Sequence, residues 1–216
     1  LKKEIFSELD TLCPPKTIFV TGTSSIMPSD IAVATQRPDK ILAAHCANPP
    51  YLLPFVEIVG AKGCSARSIK MVVDLMILIG KNPVVLRKEI PGFAAMRLQG
   101  ALLREALYLV EKGVLDPAEV DLIIRTGIGR RWSVAGVFEV FELAGWDLIS
   151  DIAQSIFPDL ESNPNVSKVL LNSVKKGNLG VKTNKGFYDW TPESTEVLKR
   201  KIANALIKIE DLNQLN

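Results

Sequence analysis

The stretch "ILAAHCANPPYLLPFVEIVG", residues 41–60, decides how this chain is read. Two apolar runs of strand length, "ILAAHC" (41–46) and "FVEIVG" (55–60), flank a turn that holds Pro49 and Pro50. Runs this short, bounded by turn residues, read as buried strands. The first ends near His45, the only histidine in the sequence, and the second carries Glu57 between Val56 and Ile58.

Working outward, "TIFVTG" (17–22) and "PVVLRK" (83–88) predict two further strands. Helical patterns lie around them. "LKKEIFSELDTL" (1–12) sets Ile5, Leu9 and Leu12 on one face, "TSSIMPSDIAVAT" turns into a short helix with Ser29 as N-cap, and "SARSIKMVVDLMILIGK" (65–81) ends at Gly80. Strand and helix in alternation predict a parallel or mostly parallel sheet. After Pro91 the pattern is helical: "GFAAMRLQGALLREALYLVEKG" (92–113), then "DPAEVDLIIRTG" (116–127) with Asp116 as N-cap and Pro117 behind it, then helices broken near Gly145. The expected fold class is α/β followed by all-α. The first domain spans residues 1–90 and the second 91–216. The sheet reads as the second half of a Rossmann-type fold. No G-x-G-x-x-G follows any strand, and the nearest glycine pair, "TGIGRR" (126–131), follows a helix.

Composition narrows the function. With 26 Lys and Arg against 24 Asp and Glu, the net charge of +2 gives no electrostatic reason for nucleic acid or a membrane surface as partner. The longest apolar runs, such as "VVDLMILIG" (72–80), fall short of the roughly 20 residues that cross a bilayer. The start is an amphipathic helix pattern without the plan of a signal peptide. Cys13, Cys46 and Cys64 form no CxxC pair, and with one histidine they supply no usual zinc set. A reduced, cytoplasmic protein is expected.

On the residues alone, His45 and Glu57 admit two readings. A carboxylate buried on the second strand needs a partner, and the histidine would serve, with its proton affinity raised for general-base work. Alternatively His45 is a structural residue and Glu57 alternates outward to solvent. Asn48 follows His45 on the rigid "ANPP" turn, and the hydroxyls of "TGTSS" (21–25) follow the first strand. Those hydroxyls suit either a substrate oxygen or ordinary turn formation.

Taken in order, "TGTSS", "HCANPP", "PFVEIV", "IPGFAAMRL" and "GFYDW" resemble the 3-hydroxyacyl-CoA dehydrogenase superfamily, with its gulonate, carnitine and lambda-crystallin relatives, from Leu1 to about Trp190. The resemblance implies NAD as cofactor, His45 as catalytic base and Glu57 as its acidic partner. It implies Ser24 as a contact to substrate and nicotinamide, Asn48 as the H-x-x-N-P asparagine near the reacting centre and cofactor, and Lys182 as a lysine reaching the cofactor. It further implies oxidation of an L-3-hydroxyacyl-CoA or a small 3-hydroxy acid to the 3-keto product, and a homodimer through the helical domain. Gly22 stands where the family usually has asparagine, and Met96 stands at a substrate-binding asparagine. The Arg131–Trp132 pair is similar to the gulonate and carnitine relatives and favours a small polar acid, unless Trp132 is a packing or interface aromatic. The glycine-rich half of the nucleotide domain is expected to precede Leu1, and the chain without it to be inactive. The alternative is a non-catalytic dimerisation module whose partner supplies the nucleotide half.

Overall fold

A computed structural model describes residues 1–24 and 26–213. The chain divides into two compact units, Leu1–Gly100 and Ala101–Asn216. The first holds α1 (Lys2–Leu12), β1 (Phe19–Thr21), α2 (Pro28–Ala32), β2 (Ile41–Cys46), β3 (Phe55–Gly60), α3 (Ala66–Leu78) and β4 (Asn82–Val85). Helix α4 (Ala95–Glu111) contributes residues to both units.

The four strands form one sheet in the order β1-β2-β3-β4. β1 with β2 and β3 with β4 are parallel, whereas the central pair β2–β3 is antiparallel. The reason is local. Eight residues, 47–54, turn the chain straight back, too few for the crossover that a parallel neighbour needs. Leu52 and Leu53 donate their N–H groups to the Pro49 carbonyl within that turn, both at 3.1 Å.

Both faces of the sheet are covered. Ile41 packs with Phe6, Phe19, Ile31 and Ala61, beneath α1 and α2. Leu42, Ala44, Val56 and Ile58 point to the opposite face and meet Val72 of α3. Alternation therefore leaves no solvent side for β2 and β3, and Glu57 has no outward orientation to take.

Two sequence expectations need correction. The buried face of α1 is Phe6 and Asp10, with Leu9 and Cys13 packed beside Phe6, whereas Ile5 and Leu12 are exposed. Asp10 is buried because the Arg37 guanidinium pairs with it, a partner that helical periodicity does not reveal. Ser29 is not an N-cap: Met27 holds that place and Pro28 opens α2, since proline's fixed φ suits the first helical position and its missing N–H costs nothing there.

The second unit continues with α5 (Pro117–Thr126), α6 (Ile128–Trp132), α7 (Val137–Glu142), α8 (Trp146–Ile156), α9 (Lys168–Lys175) and α10 (Pro192–Asn213). α5 starts as expected, with the Asp116 N–H donating to Glu119 Oε2 at 2.8 Å. Among the described residues no helix is long and apolar enough to cross a membrane.

Candidate active site

The antiparallel register sets His45 directly opposite Glu57, so both side chains leave the same face of the sheet. Their contact is a hydrogen bond, with His45 Nδ1 2.8 Å from Glu57 Oε1. The Glu57 side chain is fully buried, and 16% of the imidazole remains accessible.

A buried carboxylate is tolerated only if each oxygen finds donors. Oε1 accepts from His45, and Oε2 accepts from the backbone N–H groups of Ala94 and Ala95 at 3.0 and 3.1 Å. Those amides belong to the first turn of α4, where N–H groups lack partners within the helix and the helix dipole favours a negative charge. The chain reaches them through Gly92 at φ +78° and Phe93 at φ +49°. Phe93 is buried against Ala43 and Val59, its ring centroid 6.1 Å from that of His45. The imidazole is thus held by a carboxylate at one nitrogen and an aromatic wall at its side.

This arrangement sets the tautomer. An ionised carboxylate accepts only, so Nδ1 carries the proton and the Nε2 lone pair is left free to take one. Among the described residues Nε2 has no hydrogen-bond partner in the chain.

Ser24 and Asn48 are exposed, Ser24 beyond the end of β1 and Asn48 beyond the end of β2. Because these strands are parallel, with Thr21 beside Ala43, both residues lie at the same end of the sheet as His45. Ser25 lies outside the described residues. Met96 is 43% exposed, one position after Ala95 on α4. Lys182 belongs to the second unit, in a short 3-10 turn, Val181–Thr183, and is exposed. A Cβ placed on Gly22 would meet nothing within 4 Å. Sequence reasoning missed the Ala94 and Ala95 amides and the Phe93 wall. The available signal was a helix start without a side-chain cap, whose free N–H groups needed an acceptor from elsewhere in the chain.

At the other end of β3 and β4 a cleft of about 450 Å³ is lined by Lys62, Cys64, Arg87 and Lys88 among others. Burial and the nearby Asp39 carboxylate push the Cys64 thiol up from its ordinary value, which makes it a poor nucleophile at neutral pH.

Residues 1–90 match the NAD binding domain of 3-hydroxyacyl-CoA dehydrogenase, and residues 92–190 match its C-terminal domain. The chain is 30% identical over 209 residues to 5-formyl-3-hydroxy-2-methylpyridine 4-carboxylate 5-dehydrogenase of Mesorhizobium japonicum, covering 97% of this chain and 68% of that protein. It is 35% identical to the L-carnitine dehydrogenase of Burkholderia mallei and 40% identical to that of a Pseudomonas species, covering 82% and 68% of this chain. The chain spans only 57% and 46% of those two proteins. Among solved structures, the 5-formyl-3-hydroxy-2-methylpyridine 4-carboxylic acid 5-dehydrogenase, described as an NAD+ dependent dismutase, superimposes with a TM-score of 0.94 at 30% identity. It covers 98% of this chain and 68% of its own. The 3-hydroxybutyryl-CoA dehydrogenase of Escherichia coli gives 0.67 at 30% identity, over 88% of this chain and 40% of its own.

Proposed function

The chain belongs to the 3-hydroxyacyl-CoA dehydrogenase family, and from that membership we propose that it carries the proton-transfer machinery of an NAD-dependent alcohol oxidation. The observation that carries this reading is the His45–Glu57 pair, with Nδ1 engaged and Nε2 open. In it, His45 Nε2 takes the hydroxyl proton of the substrate. Glu57 keeps the ring oriented and offsets the positive charge that the ring acquires. Ser24 and Asn48, polar and exposed at the same sheet end, fit a nicotinamide and a substrate oxygen, and the family resemblance alone adds Lys182 as a residue for the cofactor. NAD, when bound, would supply the hydride acceptor for the carbon bearing the hydroxyl.

The substrate we propose is a small polar hydroxy acid and not a CoA thioester. Met96 offers no hydrogen bond worth having to an acyl oxygen. Two of the relatives above are named for L-carnitine, a small charged molecule. Arg131 and Trp132 at the end of α6 supply a cation and an aromatic face of the kind such a substrate suits. The test is NADH formation by the protein at its full natural length, offered L-carnitine, 3-hydroxybutyrate or 3-hydroxybutyryl-CoA. A small acid is expected to be oxidised in preference to the thioester, and His45→Ala to lower turnover by about 10²–10⁴-fold without unfolding the chain. Undiminished turnover in His45→Ala would remove the catalytic reading, and preference for the thioester would remove the substrate reading.

We further propose a homodimer formed through the helical unit. Within Ala101–Asn216, Leu107 is the only described residue that is buried, while Phe138, Leu143 and Phe157 are 75%, 89% and 66% exposed. Apolar surface on this scale is covered in water by another protein surface, and a second copy carries the complementary helix faces. Light scattering is expected to return twice the 23.7 kDa chain mass; a monomer at micromolar concentration would overturn the dimer.

A further inference from the structure

The segment that satisfies Glu57 does not hold itself in place. Between β4 and α4 the backbone passes through positive φ at Gly92 and, without glycine's freedom, at Phe93. A non-glycine residue in that region is disfavoured and persists only where surrounding contacts over-determine it. Two anchors do so. One is the Phe93 ring, packed against Ala43 and Val59. The other is Glu89, whose Oε1 accepts from the Ser29 N–H at 2.7 Å and whose Oε2 accepts from the Ser29 hydroxyl. The same hydroxyl accepts from the Lys62 N–H at 2.7 Å. One serine side chain thereby ties α2, the turn after β3 and the segment after β4 together.

We propose that Ser29 and Glu89 are positioning residues for the dyad. By fixing residues 90–95 they keep the Ala94 and Ala95 amides on Glu57 Oε2, which leaves Oε1 to hold the proton of His45 on Nδ1. The proposal rests on the reading of His45 as the base, and it extends the working site to two residues that touch neither member of the pair.

A single histidine makes this testable by NMR on the chain itself, because the imidazole spectrum holds one residue. In the parent protein the His45 Nδ1 proton is expected as a protected, hydrogen-bonded resonance that exchanges slowly with water. Ser29→Ala removes the hydroxyl links but keeps the backbone bond to Glu89. It is expected to speed exchange of that proton, and of the Ala94 and Ala95 amides, by roughly tenfold or more for the two lost hydroxyl hydrogen bonds. Glu89→Ala should do more, and Ser29→Thr, which restores a hydroxyl, should return exchange to near the parent rate. The α3 amides of Val72 and Val73 serve as the control. If the His45 proton is unaffected in a folded variant, or accelerates only in step with the α3 amides, the pair is a plain structural staple and the proposal is overturned. Should Glu89→Ala fail to fold, Ser29→Ala and its threonine rescue decide. Neither NAD nor substrate is needed, so an error in the dehydrogenase reading would leave this result intact.

Discussion

Glu57→Gln is expected to lower turnover by about 10³–10⁴-fold while the protein stays folded, because the amide forces the wrong histidine tautomer. The direction follows from the hydrogen bonds. Oε2 faces two backbone donors, Ala94 N–H and Ala95 N–H. A glutamine must place its carbonyl oxygen there, since its NH₂ in that position would oppose two N–H groups in a buried site. The NH₂ then faces His45 Nδ1, which becomes an acceptor, and the ring proton moves to Nε2. An imidazole with Nε2 protonated cannot take a proton from a hydroxyl. The volume of the side chain is unchanged and the backbone donors remain satisfied, so the loss falls on kcat and not on stability. Kinetics on the full-length protein measure the first part. The ring-nitrogen spectrum of the single histidine measures the second, where the proton should be found on the opposite nitrogen. Near-parent turnover with Nδ1 still protonated would contradict the argument.

The largest stability effect is expected at Arg37. Its Nε pairs with Asp10 Oδ1, and its terminal nitrogens donate to the Asp10, Cys13 and Pro14 carbonyls, the last at 2.7 Å. The Asp10 and Cys13 carbonyls lie at the end of α1, where helical geometry leaves oxygens unpaired, and the Pro14 carbonyl just beyond also accepts from the Thr17 N–H. The guanidinium also lies 5.3 Å from the Phe19 ring centroid. Asp10 and Arg37 are mostly buried, their side chains 7% and 14% exposed. Arg37→Ala would leave a buried carboxylate with only the Gln36 N–H, 2.6 Å from Oδ2, as a donor. The expected cost is about 3 kcal/mol, since losing one partner of a buried pair exposes the other to its full desolvation penalty. The readout must report the first unit. Trp132, Trp146 and Trp190 all lie in the second, so indole fluorescence would miss the effect. Amide exchange in β1 and β2 is the suitable measurement, with protection expected to fall roughly a hundredfold. A change of less than twofold would show that the pair contributes little net stability.

Much of this was legible in the chain itself. β2 and β3 follow the apolar runs 41–46 and 55–60 residue for residue, because a fully buried strand must be apolar on both sides and turn residues must bound it. The start of α5 was equally plain, since Asp116, Pro117 and Glu119 act within a single turn. The ordered motifs also named the family, which the matches over residues 1–90 and 92–190 bear out. Where interactions cross the chain, periodicity misled or fell silent. It chose Ile5 and Leu12 for the buried face of α1, because nothing local announces that Arg37 will come to Asp10. It read Ser29 as a cap, because the acceptor of its hydroxyl proton, Glu89, is 60 residues away.

His45 and Glu57 show the division most clearly. The sequence by itself determined that both would lie on strands successive in the chain, since strand pattern is a property of consecutive residues. Whether Glu57 faced solvent or the histidine was left open, because alternation permits either until both faces of the sheet are known to be covered. Tertiary structure decided it. The 47–54 turn set an antiparallel register that aligns the two residues, and the Ala94 and Ala95 amides supplied donors that a buried carboxylate cannot do without. Those amides lie 37 and 38 residues from Glu57 in the chain, and only a folded backbone brings such groups within hydrogen-bond reach.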